Sequence, residues 1–123
     1  MSVLLDTSVW IRHFRTSNLR VVQLLESGSV VSHEYVVAEI ACGSLKSREV
    51  TLGHLKELIT LPTVSTQDVL LFIETNKLYS RGIGLIDAHL LASTLIVPDT
   101  QIWTTDKRLE SIAREMGVAY LVN

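Results

Sequence analysis

The sequence predicts an α/β domain with a mostly parallel central sheet of about four or five short strands and helices on both faces. Three observations carry this reading. Short apolar runs alternate with longer stretches of helical spacing along the whole chain. No linker, repeat or low-complexity segment interrupts the alternation, so residues 1–123 read as a single domain of a size that suits one core. The strand-like runs are apolar at successive positions, as expected where helices cover both faces of a parallel sheet.

Val3 to Leu5 reads as a buried strand ending at Asp6, after which Thr7 or Ser8 is placed to cap a first helix through Phe14. Ser17 or Asn18 starts a second helix with Val21, Leu24 and Leu25 on its apolar side, and Gly28 closes it. Val30 and Val31 form a second strand. The next helix, Glu34 to Cys42, sets Val36, Val37, Ile40 and Ala41 opposite Glu39, and Gly43 ends it. Helical spacing returns from Ser47 to Leu61, where Pro62 stops it, and Val64 marks a short strand. Thr66 caps a helix running to about Tyr79, before Arg81 and Gly82. Leu85 to Ile96, apolar nearly all round, reads as a buried helix. Ile102 to Thr105 is a strand ending at Asp106, the run to Glu115 an amphipathic helix, and Val118 to Val122 the last strand.

Composition narrows the function. With 11 basic and 13 acidic side chains the net charge is -2, which argues against a sequence-blind nucleic-acid binder relying on excess Lys and Arg. One cysteine, Cys42, excludes an internal disulfide or a thiolate zinc site and reads as a small buried hydrophobe. The N-terminus lacks the parts of a signal peptide, and no stretch approaches about 18 uninterrupted apolar residues, so the expectation is a cytoplasmic protein with no membrane partner. His13, His33, His54 and His89 show no zinc spacing and no nucleophile partner; His89 suits a surface or helix-packing role. Trp10 and Trp103 suit core or interface anchors.

Four acids stand out. Ligands of parallel α/β sheets gather at the carboxyl ends of strands, where Asp6 and Asp106 lie; each alone is also a natural helix N-cap. Asp87 sits among residues destined for the core, where an uncompensated carboxylate is costly, and a bound cation or a cap must balance it; its place inside the apolar run favours the cation. Glu39 alone is an ordinary solvated helix residue. As a set they offer only oxygen ligands, and converging carboxylates repel one another unless a hard cation such as Mg²⁺ or Mn²⁺ lies between them. That is the layout of a metal-dependent phosphodiester hydrolase. Other α/β classes lack their residues: there is no Asp-x-Asp at Asp6, no Asp between Val50 and Thr66 for a phospho-accepting receiver, and no glycine-rich phosphate loop.

Four segments, Leu4-Leu5-Asp6-Thr7-Ser8-Val9-Trp10-Ile11, Val37-Ala38-Glu39-Ile40, Gly84-Leu85-Ile86-Asp87-Ala88 and Thr104-Thr105-Asp106-Lys107, give the chain an order and spacing that resembles the PIN domain, and more narrowly the VapC-type toxins of toxin-antitoxin pairs. The resemblance implies a magnesium-dependent endoribonuclease leaving 5′-phosphate and 3′-hydroxyl ends, a cognate VapB-type antitoxin and a homodimer. It implies Asp6 and Asp87 as principal metal ligands, Glu39 and Asp106 completing the pocket directly or through water, and Ser8 and Thr104 as accompanying hydroxyls. Thr104 and Asp106 point the same way if the strand persists to its end. Arg12, Arg81 and Lys107, nearest the motifs, are the candidate RNA contacts. Trp10, Ile11, Phe14 and Val36 suit an antitoxin groove, a dimer face or simply the core. The alternative reading is a catalytically silent module of the same fold that binds RNA or a protein.

Overall fold

A computed structural model describes residues 1–122 of the chain. The elements, in order, are β1 (Ser2–Leu5), α1 (Thr7–Arg15), α2 (Leu19–Glu26), β2 (Val30–Val31), α3 (Glu34–Ala41), α4 (Arg48–Glu57), α5 (Thr66–Thr75), α6 (Leu85–Ile96), β3 (Thr100–Trp103) and α7 (Lys107–Glu115). The sheet is parallel with strand order β2-β1-β3, Val3 facing Val30 and Leu5 facing Trp103. Val3, Leu4 and Leu5 are fully buried although consecutive strand residues point to opposite faces. Both faces of β1 are therefore covered, as its unbroken apolar run requires.

The α/β class and the parallel sheet match the sequence reading; the strand count is smaller. Three strands form, and each edge is extended by one paired residue. On one side Ser32 bridges Thr60, with the Ser32 N–H donating to Ile59 and the Leu61 N–H donating to Ser32, both at 2.8 Å. Pairing stops there because the chain after Ser32 leaves the sheet, with His33 capping α3 from Glu34, and the strand expected at Val64 does not form. On the other side Ala119 bridges Ile102, which is all that forms of the strand expected over Val118 to Val122. β3 begins and ends two residues earlier than expected, leaving Thr104 and Thr105 beyond it.

The helix boundaries follow their caps. Asp6 itself, rather than Thr7 or Ser8, caps α1, and Asn18 caps α2 through the N–H groups of Arg20 and Val21. Ser65, one residue before the expected Thr66, caps α5 by accepting from Asp68 at 3.0 Å. α5 stops at Thr75, short of Tyr79, and Lys77 lies in the left-handed region beyond it. α4 ends at Glu57, where Leu58 turns extended to carry the chain to its bridge with Ser32.

Trp10 and Trp103 are core anchors, and His89 is a buried helix-packing residue. Cys42 is exposed, not buried, because it falls at the C-cap of α3 on the solvent side. Truncating Leu4 to Ala leaves a void where β1 meets both neighbouring strands. The expected loss is about 3 kcal/mol, read as a lower urea midpoint at an unchanged denaturant slope.

Candidate active site

The site starts from the register of β1 and β3. Leu5 pairs with Trp103, and the Asp6 N–H donates to the Trp103 carbonyl at 3.0 Å, so the residues that follow the two strands emerge side by side. Asp6 is 6% exposed. Its Oδ1 accepts from the Val9 N–H at 3.2 Å and from the Ser8 hydroxyl at 2.5 Å, while Oδ2 accepts from the Thr104 hydroxyl. Each hydroxyl has spent its single proton on Asp6, and each accepts in turn. Ser8 Oγ takes the Thr105 N–H at 3.1 Å, and Thr104 Oγ1 takes the Asp106 N–H at 3.0 Å. Ser8 and Thr104 are thus the straps that bind the loop after β3 to Asp6. The strand does not persist to Asp106 as the shared orientation of Thr104 and Asp106 had required; a side-chain-to-backbone turn takes its place.

Asp106 ends that loop as the N-cap of α7, its Oδ1 accepting from Arg108 and Leu109 at 2.8 and 3.1 Å. Asp87 also serves as a cap, which the sequence reading had ranked below a metal. It lies in the first turn of α6, and its Oδ2 accepts from the Gly84 N–H at 3.0 Å. The helix starts at Leu85, as the sequence predicts, but Leu85 is exposed, so the first turn that carries Asp87 is not buried all round. Glu39 reaches the first turn of α1, where its Oε1 accepts from the Thr7 hydroxyl at 2.6 Å. Sequence reasoning treated Thr7 only as a potential cap; no local spacing could reveal a partner 32 residues away.

Asp87 feels the charges of the other three acids. Burial raises the proton affinity of Asp87 most, and the negative charges of Asp106, Asp6 and Glu39 raise it further, against the Gly84 hydrogen bond. Burial also raises that of Asp6, outweighing the hydrogen bonds it accepts. None of the ion pairs among the described residues involves these four acids. Asp87, Asp106 and Glu39 are each held by one oxygen, and the other accepts no hydrogen bond from the described residues. That leaves hard oxygen lone pairs with no internal counter-charge, the donor chemistry that suits Mg²⁺ or Mn²⁺. Among the described residues no three His, Cys, Asp or Glu side chains form a ready-made cage. Mg²⁺ commonly keeps several waters and takes only one or two carboxylates, so carboxylates that each keep a free oxygen fit it without such a cage.

The basic candidates are placed differently. Arg81 is paired with both carboxylate oxygens of Glu115. Arg12, in the last turn of α1, and Lys107, at the first position of α7, are exposed and in none of the ion pairs among the described residues. Of the apolar set, Trp10 and Val36 belong to the core. Ile11 and Phe14 instead line a cavity of about 660 Å³ with Arg15 and the segment Gly43 to Lys46.

A parallel α/β domain with carboxylates gathered beyond its strand ends is the framework of a metal-assisted hydrolase. The chain belongs to the PIN-domain family, whose profile matches residues 3–115. It is similar to Ribonuclease VapC32 of Mycobacterium tuberculosis, in the CDC 1551 / Oshkosh and ATCC 25618 / H37Rv strains alike. The identity is 42% over 117 residues, covering 95% of this chain and 94% of the relative.

The electrostatics predict opposite effects of two conservative substitutions. Asp87→Asn keeps an oxygen for the Gly84 N–H and removes the repulsion. In EDTA near pH 7 it should stabilise the protein by about 1 kcal/mol, a rise of a few degrees in melting temperature. Because the fold raises the pKa of Asp87 above 3.8, the folded chain holds the extra proton as pH falls. The penalty is therefore absent below the ordinary carboxylate range and complete above the folded-state value, so the advantage of Asp87→Asn shrinks toward pH 4. Asp6→Asn sets an NH₂ donor against a strapping hydroxyl and should instead lower the melting temperature.

Proposed function

We propose that the chain is the toxin of a toxin-antitoxin pair, an endoribonuclease whose acidic pocket of Asp6, Glu39, Asp87 and Asp106 holds Mg²⁺, with Mn²⁺ able to substitute. The reading rests above all on Asp87, which is pushed toward its protonated form first by burial and then by the carboxylates of Asp106, Asp6 and Glu39, on three separate elements. A protein gains nothing from such mutual repulsion unless a cation resolves it. Family membership and the 42% identity to a protein named a ribonuclease support RNA as substrate.

The chain's residues have distinct parts in this reaction. Asp6, held by two hydroxyls and a backbone N–H, is the rigid ligand. Asp87 and Asp106 keep one oxygen on a helix N-terminus and direct the other toward the pocket's charge. Glu39, exposed and held by Thr7, is suited to accept a proton from water. The bound ion supplies a counter-charge for the phosphate and a water of lowered pKa. Arg12 and Lys107 provide cationic approach for the strand on either side of the acids, and Arg81 joins them only when its pair with Glu115 opens.

The antitoxin's place is the cavity beside Phe14, where an apolar floor of Ile11, Phe14 and Leu45 lies between the cations Arg15 and Lys46. That chemistry suits a segment with both apolar and acidic side chains. Exposed Leu70 and Leu71 on α5, and exposed Tyr79 and Leu85, which line one cavity, support a homodimer face. The whole chain is read as one domain and the enzyme as cytoplasmic; no helix among the described residues is long and apolar enough to cross a membrane.

Cleavage of total RNA in Mg²⁺, with end mapping, tests the reading. The parent should give 5′-phosphate and 3′-hydroxyl ends, EDTA should stop the reaction, and Asp87→Asn should slow it by roughly 100-fold or more while remaining folded. A folded Asp87→Asn that cuts at the parental rate removes the assignment, and no cutting by the parent under any divalent cation favours the silent binding module.

A further inference from the structure

His33 lies between β2 and α3, is fully buried, and uses both ring nitrogens. Nδ1 accepts the Tyr35 N–H at 3.0 Å, which makes the imidazole the N-cap of α3. Nε2 lies 3.0 Å from the hydroxyl of Ser93, which is also fully buried, on α6. A cap must accept, so Nδ1 carries no proton and the neutral ring donates from Nε2 to Ser93. Ser, Thr, Asp or Asn would cap the helix equally well with a shorter side chain. What they lack is a second polar atom able to reach another helix.

The joint has a second contact in the same place. Tyr35, at the second position of α3, meets His89 edge-on with ring centroids 4.9 Å apart. His89 and Ser93 are four residues apart on α6 and so share a face. The start of α3 is thereby tied to the middle of α6 by a directional hydrogen bond and an aromatic contact. The other packing of the two helices lies in separate directions: α3 packs on α1 and α4, and α6 on α5 and β3. Each helix carries one acid of the pocket, Glu39 on α3 and Asp87 on α6, and these two repel.

We propose that His33 is a positioning residue: by capping α3 and donating to Ser93, it holds Glu39 and Asp87 at the separation the divalent cation requires. This rests on the reading of the acidic pocket as a cation site. Without the bridge the two helices remain folded on their own neighbours, and the repelling acids drift apart.

Two substitutions break the bridge from opposite ends. Ser93→Ala removes the acceptor, whereas His33→Asn keeps an oxygen for the Tyr35 N–H and is too short to reach α6. Mn²⁺ affinity of the parent, both variants and their double is measured by the paramagnetic resonance of free Mn²⁺, with circular dichroism to establish folding and RNA cleavage measured across Mn²⁺ concentration. Each single variant should stay folded and bind Mn²⁺ roughly tenfold more weakly. The double should be no weaker than either single, and the cleavage rate should recover at high Mn²⁺. A folded variant with parental affinity, losses that add in the double, or unfolding of both single variants would each overturn the proposal. Failure of the cation reading itself looks different: the parent does not bind Mn²⁺, or Asp87→Asn binds it as tightly as the parent.

Discussion

The structure turns on the buried carboxylate of Asp6. It ends the central strand, caps the first helix, and receives both hydroxyls that strap down the loop after β3. A carboxylate in that position is costly, and burial does raise its proton affinity. Three classes of donor offset the cost: a helix N–H, a hydroxyl from its own helix and a hydroxyl from across the sheet. The same Thr104 hydroxyl that donates to Asp6 accepts the Asp106 N–H, so the bonds that lower the proton affinity of Asp6 also hold the backbone of Asp106. Stability and site assembly are therefore one network.

Much of this was legible in the sequence because strand ends and helix starts leave local marks. Apolar Val3 to Leu5 followed by Asp6, and Ile102 to Trp103 followed at a short distance by Asp106, identify two junctions of a parallel sheet, and the sheet's order places them together. The edges were not legible. Val64 and Val118 to Val122 have strand-like composition, yet pairing at an edge depends on where the neighbouring strand ends, as β2 does when the chain turns into α3, which composition does not encode. The roles of Thr7 and His33 were hidden for a related reason: their partners, Glu39 and Ser93, are distant in sequence and on other helices. Asp87 was legible as a chemically strained residue on a helix starting at Leu85, but its place inside an apolar run favoured a cation over the cap it makes with the Gly84 N–H.

The net charge of -2 takes on a specific meaning in this setting. Setting aside the four pocket acids leaves 9 acidic residues against 11 basic ones, so the remainder of the chain is mildly cationic. The excess of negative charge is local. None of those four acids is in an ion pair among the described residues, and in the proposed site they would repel an RNA phosphate until a divalent ion offset them.

In the proposed site the acids stand against their own stability for the sake of a cation. Thermal unfolding of the parent and of Asp87→Asn, each followed over a series of Mg²⁺ concentrations, separates this from a purely structural role. The order of stability should reverse: Asp87→Asn melts higher without Mg²⁺, and the parent overtakes it as Mg²⁺ is added. An order that Mg²⁺ leaves unchanged would rule the cation site out.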